Sequence, residues 1–195
     1  MNAIVYGPVG VVRSPLKEPY GAPIQSVAAR DIEGVVEVFP EYAEGLRDIE
    51  GFSHLILIYH FHLSNKPSLI VKPYLDDETR GIFATRAPAR PNPIGVSVVR
   101  LVRVDGTRLH VTGVDILDGT PVLDIKPYVP QFDAIEAERI GWLKGRINMV
   151  DDTKDDARFQ KIMGDSFRRA SSARLEGSPL VIRAFLLGFR LTKMI

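Results

Sequence analysis

Runs of alternating or β-branched residues recur over the first two-thirds of the chain, and such runs are typical of strands. We predict six strands, at residues 3–12, 33–39, 53–62, 95–104, 107–114 and 121–128. The pair Asp105-Gly106 between two of them is a tight-turn signal for a hairpin. Residues 41–49 are the best candidate for a helix in this part. Many short strands with few helices favour a β-barrel or a β-sandwich.

The pattern changes after Tyr128. Residues 151–173 place acids first and basic residues last, as the dipole of a helix favours. Apolar side chains near one helical face of this segment are Phe159, Ile162, Met163, Phe167 and Ala170. Residues 180–191 are strand-like. We therefore predict a mainly β chain, with a compact domain over residues 1–140 and a helix-plus-strand extension over residues 141–195.

A stiff polar loop precedes the fourth predicted strand. Residues 85–95 read TRAPARPNPIG, and the three prolines fix φ and remove three backbone donors. The loop carries Arg86, Arg90 and Asn92 next to a β-branched strand. Such a loop can hold a ligand, or it can be a braced connection between strands. The local pattern leaves both interpretations open.

Composition narrows the chemistry. The 195 residues, 45% hydrophobic and 25% charged, fit a soluble globule of one domain with an appendage. The chain has no cysteine, which excludes disulfides, thiolate catalysis and zinc–thiolate sites. We find no signal-peptide pattern and no window of about 18 apolar residues, so we expect no membrane segment and a cytoplasmic protein. No G-x-G-x-x-G or P-loop pattern follows a strand, which argues against a Rossmann-type site.

Basic residues are concentrated in two regions, although the formal net charge is only +1. Residues 79–104 contain five arginines and no acid, and residues 161–195 contain seven basic residues and two acids. An acidic partner such as RNA would favour these regions, because neutralised phosphates release counterions. The alternative is a solvated face that acids elsewhere balance.

Four ordered segments resemble the TsaA-like family, whose TrmO-type members methylate tRNA. They are GPVGVVRSPLKEPYGAPIQ (7–25), GFSHLILIYHFH (51–62), FATRAPARPNPIGVSVVRL (83–101) and DILDGTPVLDIKPYVP (115–130). The resemblance implies a compact β-barrel, a homodimer and S-adenosylmethionine as methyl donor. It also implies tRNA as partner, methylated at N6 of threonylcarbamoyladenosine beside the anticodon. It does not extend over residues 142–195, whose role stays open.

The resemblance also implies which residues contact the S-adenosylmethionine donor. They are Gln25, Ser26, Val27, Phe61, His62, Arg86, Val96, Asp115, Ile116, Leu117, Asp118 and Thr120. Carboxylates and backbone carbonyls of residues 115–118 can meet the ribose hydroxyls, the amino group and the sulfonium charge. The ring edge of Phe61 and the imidazole of His62 can frame the adenosine. The alternative for Asp118-Gly119 is a plain turn after a strand.

We place five polar residues around the methyl acceptor, with the first three as catalytic candidates: Arg90, Asn92, Lys126, Asp124 and Tyr128. Asn92 or a nearby backbone carbonyl can accept a hydrogen bond from the N6 proton, whereas Arg90 and Lys126 can hold the threonyl carboxylate or a phosphate. Asp124, Lys126 and Tyr128 alternate along a strand and so share one side. The alternative for them is a cross-strand ion pair on the outside of a barrel.

Three histidines share one strand face by even spacing, namely His54, His60 and His62. Their spread along a strand of about 10 residues is too wide for one ion unless the strand bends, so we predict no metal site.

The unmatched tail keeps two other functions open beside that of a tRNA methyltransferase. One is an S-adenosylmethionine-binding module, or a methyltransferase for a small molecule. The other is a structural RNA-binding protein.

Overall fold

The computed structural model of the chain describes residues 3–64 and 66–159. Within them the strands are β1 (Gly10–Arg13), β2 (Glu33–Val38), β3 (His54–His60), β4 (Ile70–Val71), β5 (Arg80–Gly81), β6 (Ile94–Asp105), β7 (Arg108–Thr112) and β8 (Pro121–Pro127). The one α-helix of this part is the short α1 (Pro130–Asp133). Short 3₁₀ turns cover Ser26–Ala29, Pro40–Leu46, Ile49–Gly51, Ile82–Ala84, Gly141–Leu143 and Ile147–Met149.

Six strands close into a barrel in the order β1-β2-β7-β6-β3-β8, and every neighbouring pair is antiparallel. Strands β4 and β5 form a separate two-stranded sheet within the connection from β3 to β6. The barrel confirms the predicted mainly β fold. A closed barrel leaves none of its six strands as an open edge.

The alternation in the sequence becomes the inside and outside of the barrel wall. Every second residue of β3 is buried, because successive side chains of a strand point to opposite faces. Burial of the inward apolar side chains stabilises the fold by roughly 25 cal/mol per Å². The core consists of Val12, Val36, Val38, Leu55, Leu57, Tyr59, Val99, Leu109, Val111, Val114, Ile116 and Val122.

The first predicted strand is wrong over its first seven residues. Strand β1 begins at Gly10, and residues 3–8 are exposed. Pro8 lacks the N–H that a strand pair needs. Gly10 allows β1 to approach β2, because a Cβ at this position would lie 2.5 Å from the carbonyl oxygen of Glu37. The pairing of β1 with β2 therefore starts at Gly10, where the backbones of the two strands approach closely.

The helix predicted at residues 41–49 is wrong in type. A 3₁₀ turn, Pro40–Leu46, covers most of it. Asp48 has a φ of 66°, in the left-handed region, and a second turn follows at Ile49–Gly51. A left-handed residue interrupts the helical hydrogen bonds, so the apolar spacing does not produce a continuous helix.

Residues 141–159, which we call the strap, pack against the connection from β3 to β6. The indole Nε1 of Trp142 donates to the carbonyl oxygen of Ala84 at 2.7 Å. Arg146 pairs with the buried carboxylate of Asp76 at 3.2 Å. Arg158 donates to the carbonyl oxygen of Pro73 at 2.9 Å. The strap thus holds this connection at three points.

The strap also reaches the connection from β1 to β2. The backbone N–H of Asp155 donates to the carbonyl oxygen of Ala22 at 2.8 Å, and that of Gly21 donates to the carbonyl oxygen of Asp155 at 2.7 Å. The predicted domain boundary at residue 140 stays a prediction. The helix predicted at residues 151–173 is wrong over its first nine residues, because residues 151–159 form turns and an isolated bridge between Lys154 and Pro23. The rest of this predicted helix and the strand predicted at residues 180–191 lie outside the described residues.

Candidate functional site

Three long connections meet at one end of the barrel. They join β1 to β2 (residues 14–32), β3 to β6 (61–93) and β7 to β8 (113–120). Neighbouring strands are antiparallel, so the ends of β1, β3 and β7 lie beside the beginnings of β2, β6 and β8. We call this end, with its three connections, the site rim. It carries every predicted donor residue except Val96, which lies in β6.

A hydrogen bond joins the first two connections across the site rim. The exposed guanidinium of Arg86 donates through Nη1 to Oε1 of Gln25 at 2.9 Å. Two residues predicted to contact the same ligand from distant parts of the sequence therefore touch. Their free donors and acceptors can bind a carboxylate or an amino group at this place.

A buried hydrogen-bonded chain connects the barrel interior to the third connection. Ser97 Oγ lies 2.6 Å from Oδ1 of Asp115, and the hydroxyl of Tyr59 lies 3.1 Å from Ser97 Oγ. Tyr59 and Ser97 are 5% and 4% exposed, so they are shielded from water. This series of hydrogen bonds ends at the carboxylate of Asp115, which is predicted to contact the methyl donor.

Burial raises the pKa of Asp115 to about 6, against the hydrogen bond from Ser97 and the charge of Arg86, which lower it. Burial also raises the pKa of Tyr59 far above its usual value, so this phenol stays neutral. A half-buried carboxylate with a raised pKa lacks enough nearby positive charge to stabilise its ionised form fully. A cationic ligand would stabilise its ionised form.

An aromatic pair lies behind this carboxylate. The rings of Tyr59 and Phe61 meet edge to face with centroids 5.3 Å apart. Gly95 makes room for both, because a Cβ there would lie 2.3 Å from the Tyr59 ring and 2.9 Å from the Phe61 ring. The glycine that ends the proline-rich loop is therefore required by packing.

His62 lies at the same end of the barrel, near the beginning of β8. Its Nδ1 is 3.3 Å from Oγ1 of the buried Thr120. Burial lowers the pKa of His62, and the nearby His60 lowers it further. The imidazole is therefore predominantly neutral at pH 7 and can offer one donor and one acceptor.

The third connection is tied to the chain after β1. Asp118 pairs with Lys17 at 2.9 Å and accepts a hydrogen bond from the backbone N–H of Ser14 at 3.1 Å. The hydroxyl of Ser14 donates to the carbonyl oxygen of Ile116 at 2.7 Å, and the Ile116 side chain is buried in the core. Leu117 is half-buried. The hydrogen bond from Lys17 lowers the pKa of Asp118, which stays ionised.

The remaining predicted donor residues lie at the edge of this group. Ser26 and Val27 begin the 3₁₀ turn that follows Gln25, and Ala29 at the end of this turn is buried. Val96 is 59% exposed on the outer wall of β6, whereas Gly95 and Ser97 on either side of it face inward. The contact predicted for Val96 would therefore come from outside the barrel.

Arg90 supports the proline-rich loop. Its Nη1 donates to the carbonyl oxygens of Thr85 at 2.9 Å, Ile82 at 3.2 Å and Ala87 at 3.4 Å. Its guanidinium also lies 5.9 Å from the centroid of the exposed Phe83 ring. The two N–H donors of Nη1, out of five on the guanidinium, are therefore used within the loop. Its predicted contact with an acceptor stays a prediction.

The structure does not bring Lys126 to the other two acceptor candidates. Asn92 is exposed at the site rim, whereas Lys126 pairs with Ile56 near the opposite end of β8. Lys126 forms an ion pair of 2.6 Å with Asp124 on the outer wall, and both residues lie in β8, whereas the alternative interpretation expected a pair between two strands. Tyr128 lies beside His54, with ring centroids 6.3 Å apart.

Acids from neighbouring turns neutralise part of the arginine-rich region. Arg80 pairs with Asp76 and Glu78, each at 2.7 Å. Arg103 lies 3.8 Å from a carboxylate oxygen of Asp105. The acid-free stretch of sequence is thus not a uniformly positive surface, which weakens the expectation of a phosphate-binding patch there.

Sequence reasoning did not select the buried pair Tyr59 and Ser97, or the strap residues Trp142 and Arg146. The alternation of β3 and β6 was the available signal for the pair, because it places both hydroxyls inside the barrel. No local pattern signals the strap contacts, which join residues 70 and 58 positions apart.

Two findings concern the described part of the chain. It contains no group of three or more His, Asp or Glu side chains placed to hold a metal ion. None of its helices is long and apolar enough to cross a membrane.

Comparison with known proteins gives a consistent result. The family model described as the tRNA-methyltransferase O N-terminal domain matches residues 11–134. A probable S-adenosyl-L-methionine-binding protein of Pyrococcus abyssi is 61% identical over 156 residues, which are 80% of this chain and 85% of that protein. The tRNA (adenine(37)-N6)-methyltransferase of Escherichia coli K12 is 38% identical over 140 residues, which are 67% of this chain and 60% of that protein.

Solved structures agree with the sequence comparison. The crystal structure of TrmO from Pseudomonas aeruginosa superposes with a TM-score of 0.61 at 40% sequence identity, covering 72% of this chain and 63% of that one. The chain therefore spans less than two-thirds of the length of this solved relative. Residues 11–134, which the family model matches, include all of the barrel strands except Gly10.

Proposed function

The chain belongs to the family of the tRNA-methyltransferase O N-terminal domain, and from that premise we propose that it transfers a methyl group from S-adenosylmethionine to tRNA. The acceptor in this proposal is N6 of threonylcarbamoyladenosine beside the anticodon. Work on tRNA would place the protein in the cytoplasm. The observation that carries the proposal is the contact between Arg86 and Gln25 at the site rim, which Asp115 shares and where the charge of Arg86 lowers the pKa of Asp115.

The residues at the site rim fit the donor by their chemistry. S-adenosylmethionine supplies an electrophilic methyl group on a sulfonium and leaves as a neutral thioether. Arg86 would hold its carboxylate, and Asp115 would stabilise its positive charge in a place shielded from water. The ring of Phe61 and the neutral imidazole of His62 would hold the adenine and ribose.

The acceptor side of the proposal rests on Asn92 and Arg90. N6 is a poor nucleophile because its lone pair is delocalised into the purine. The main work of the protein is therefore to align the two reactants and to exclude water. The exposed amide of Asn92 would accept the N6 proton's hydrogen bond. The sulfur leaves as a neutral thioether, so no general acid is required. N6 becomes acidic as its bond to the methyl group forms, so its proton can pass to solvent water without a strong general base.

We also propose a homodimer through the outer wall of β3 and β6. Ile94 and Val96 on this wall are 39% and 59% exposed, and the half-buried Ile56 and Ile58 lie beside them on β3. Val96 on β6 is predicted to contact the methyl donor, and Lys126 on β8, opposite Ile56 of β3, is predicted to contact the acceptor. Both side chains face outward. A dimer through this wall is the arrangement in which they would approach a site. Light scattering that gives a monomer at micromolar concentration would contradict it.

A second candidate is an S-adenosylmethionine-binding protein that does not act on tRNA. The name of the Pyrococcus abyssi relative favours it, as it states binding only. Analysis of tRNA nucleosides from cells without the protein separates the two. Loss of the methylated threonylcarbamoyl nucleoside, restored by the intact gene but not by Arg86→Ala, supports the methyltransferase. An unchanged nucleoside profile supports the second candidate.

A further inference from the structure

Two buried hydroxyl groups of the barrel are aimed at one carboxylate of the site rim. Ser97 lies on β6 and Tyr59 on β3, and both side chains point into the barrel. Together with Asp115 they form a continuous chain of hydrogen bonds of 3.1 and 2.6 Å. Neither hydroxyl belongs to the residues selected for contact with donor or acceptor.

The direction of the protons in this chain follows from the groups themselves. An ionised carboxylate only accepts hydrogen bonds, so Ser97 donates its single proton to Asp115. Its oxygen is then free to accept, and the neutral phenol of Tyr59 donates to it. Both hydroxyl protons thus point towards the carboxylate. This arrangement favours the ionised form of Asp115 where burial disfavours it.

Among the described residues, the hydrogen bond from Ser97 is the largest influence that lowers the pKa of Asp115. A hydrogen bond from the backbone of Asp115 itself and the charge of Arg86 lower it less, and the groups from β3 and β6 are uncharged hydroxyls. The neighbouring Asp118 has its own cation, Lys17. The ionisation and orientation of Asp115 therefore depend largely on Ser97.

We infer that Ser97, itself oriented by Tyr59, is the positioning residue that holds the Asp115 carboxylate ionised and aimed at the cationic part of the donor. This inference rests on the proposed function. If Ser97 and Tyr59 served only to stabilise the fold, their hydrogen bonds would end inside the core. Here the series of hydrogen bonds ends at the site rim, at the carboxylate of Asp115, whose pKa is lowered by the charge of Arg86.

Carboxyl ¹³C NMR titration and calorimetry with S-adenosylmethionine test the inference together. Ser97→Ala removes the donor to Asp115, so we expect the midpoint of the Asp115 titration to move to higher pH. Affinity for S-adenosylmethionine at pH 6.5 should fall by about tenfold or more, as for a lost hydrogen bond to a charged group. Tyr59→Phe keeps the serine hydroxyl and should give a smaller change of the same sign.

Two further variants serve as controls. Ser97→Thr retains the hydroxyl and should restore most of the affinity and the titration midpoint. Ser53→Ala makes the same chemical change at an exposed serine just before β3, at the end opposite Tyr59, and should change neither value. If Ser97→Ala does not fold, Ser97→Cys takes its place, because a thiol of similar size is a much weaker donor.

The outcomes separate this inference from the proposed function. If the unaltered protein binds no S-adenosylmethionine, the proposed function fails and the inference fails with it. If the unaltered protein binds it and folded Ser97→Ala binds it equally, with an unchanged Asp115 titration, only the inference is overturned. A lower affinity with a shifted titration, restored by Ser97→Thr, supports it.

Discussion

The guanidinium of Arg86 donates a hydrogen bond of 2.9 Å to the side-chain carbonyl of Gln25, 61 positions away in the sequence. The contact joins the connection after β1 to the proline-rich loop before β6. Both residues are predicted to contact the methyl donor, so the contact unites two parts of one candidate site. Neither connection could form this site alone.

The Arg86–Gln25 contact gives the first prediction. Arg86→Ala should lower S-adenosylmethionine affinity by about tenfold or more, because a charge-assisted hydrogen bond to the donor is lost. The fold should be little affected, since the Arg86 side chain is exposed. Calorimetry and a melting curve measure both effects. Arg103→Ala, at an exposed arginine near the opposite end of β6, is the matched control, and an equal loss there would show that general charge, not the site, determines binding.

Asp115 gives a prediction about pH. The pKa of Asp115 is raised from 3.8 to about 6 in the fold. Burial of this carboxyl group therefore does not lower the free energy of unfolding below about pH 4, and it lowers it by the full amount above about pH 6. Asp115→Asn removes this cost and should stabilise the protein by up to about 3 kcal/mol at pH 8, with little gain at pH 4. The same variant should bind S-adenosylmethionine more weakly. Denaturant unfolding at the two pH values provides the comparison, and equal stability changes at both would contradict it.

Gly95 gives a prediction about packing. Gly95→Ala would place a Cβ 2.3 Å from the Tyr59 ring. We expect a loss of about 1–3 kcal/mol or more, as for overpacking in a tight core, and weaker donor binding because Tyr59 must move away from Ser97. Gly81→Ala is the control, since no atom lies within 4 Å of its added Cβ and its φ of −60° suits alanine. Urea unfolding should separate the two variants clearly, and similar midpoints would refute the packing argument.

The strap gives a prediction about the proline-rich loop. Trp142→Ala removes the hydrogen bond to Ala84, which precedes Arg86 by two residues. Amide exchange of residues 82–90 should become faster, and affinity for S-adenosylmethionine should fall several-fold while the barrel strands keep their protection. Lys144→Ala, an exposed position within the strap, should change neither. Unchanged exchange in Trp142→Ala would show that the strap does not hold the loop.

The sequence allowed the strands to be predicted because β-branched alternation is local, whereas the choice of a barrel over a sandwich came from the family resemblance. Leu55, Leu57 and Tyr59 alternate with outward residues in the sequence as they do in β3. The start of β1 was not predictable in the same way, since it depends on where Gly10 approaches Glu37. Long-range contacts decide such boundaries, and local patterns do not contain them.

The site was predicted in part through the family resemblance. Arg86, Gln25 and Asp115 come from three motifs, and the structure brings them to one rim. The hydrogen bond between Tyr59 and Ser97 was not predicted, because the local sequence does not show which side chain a buried serine in a strand contacts. Alternation placed Lys126 and Asp124 on one side of a strand, but it could not show that Lys126 pairs with Ile56, away from Asn92 at the site rim.

The most direct test of the account is methyl transfer from labelled S-adenosylmethionine to purified tRNA. Two tRNA preparations are compared, one with and one without the threonylcarbamoyl group on the adenosine beside the anticodon. We predict label only in the threonylcarbamoyl-bearing tRNA, at N6 of that adenosine, with Arg86→Ala strongly reduced. Tight donor binding without label in either tRNA would contradict the account and favour a donor-binding protein with another role.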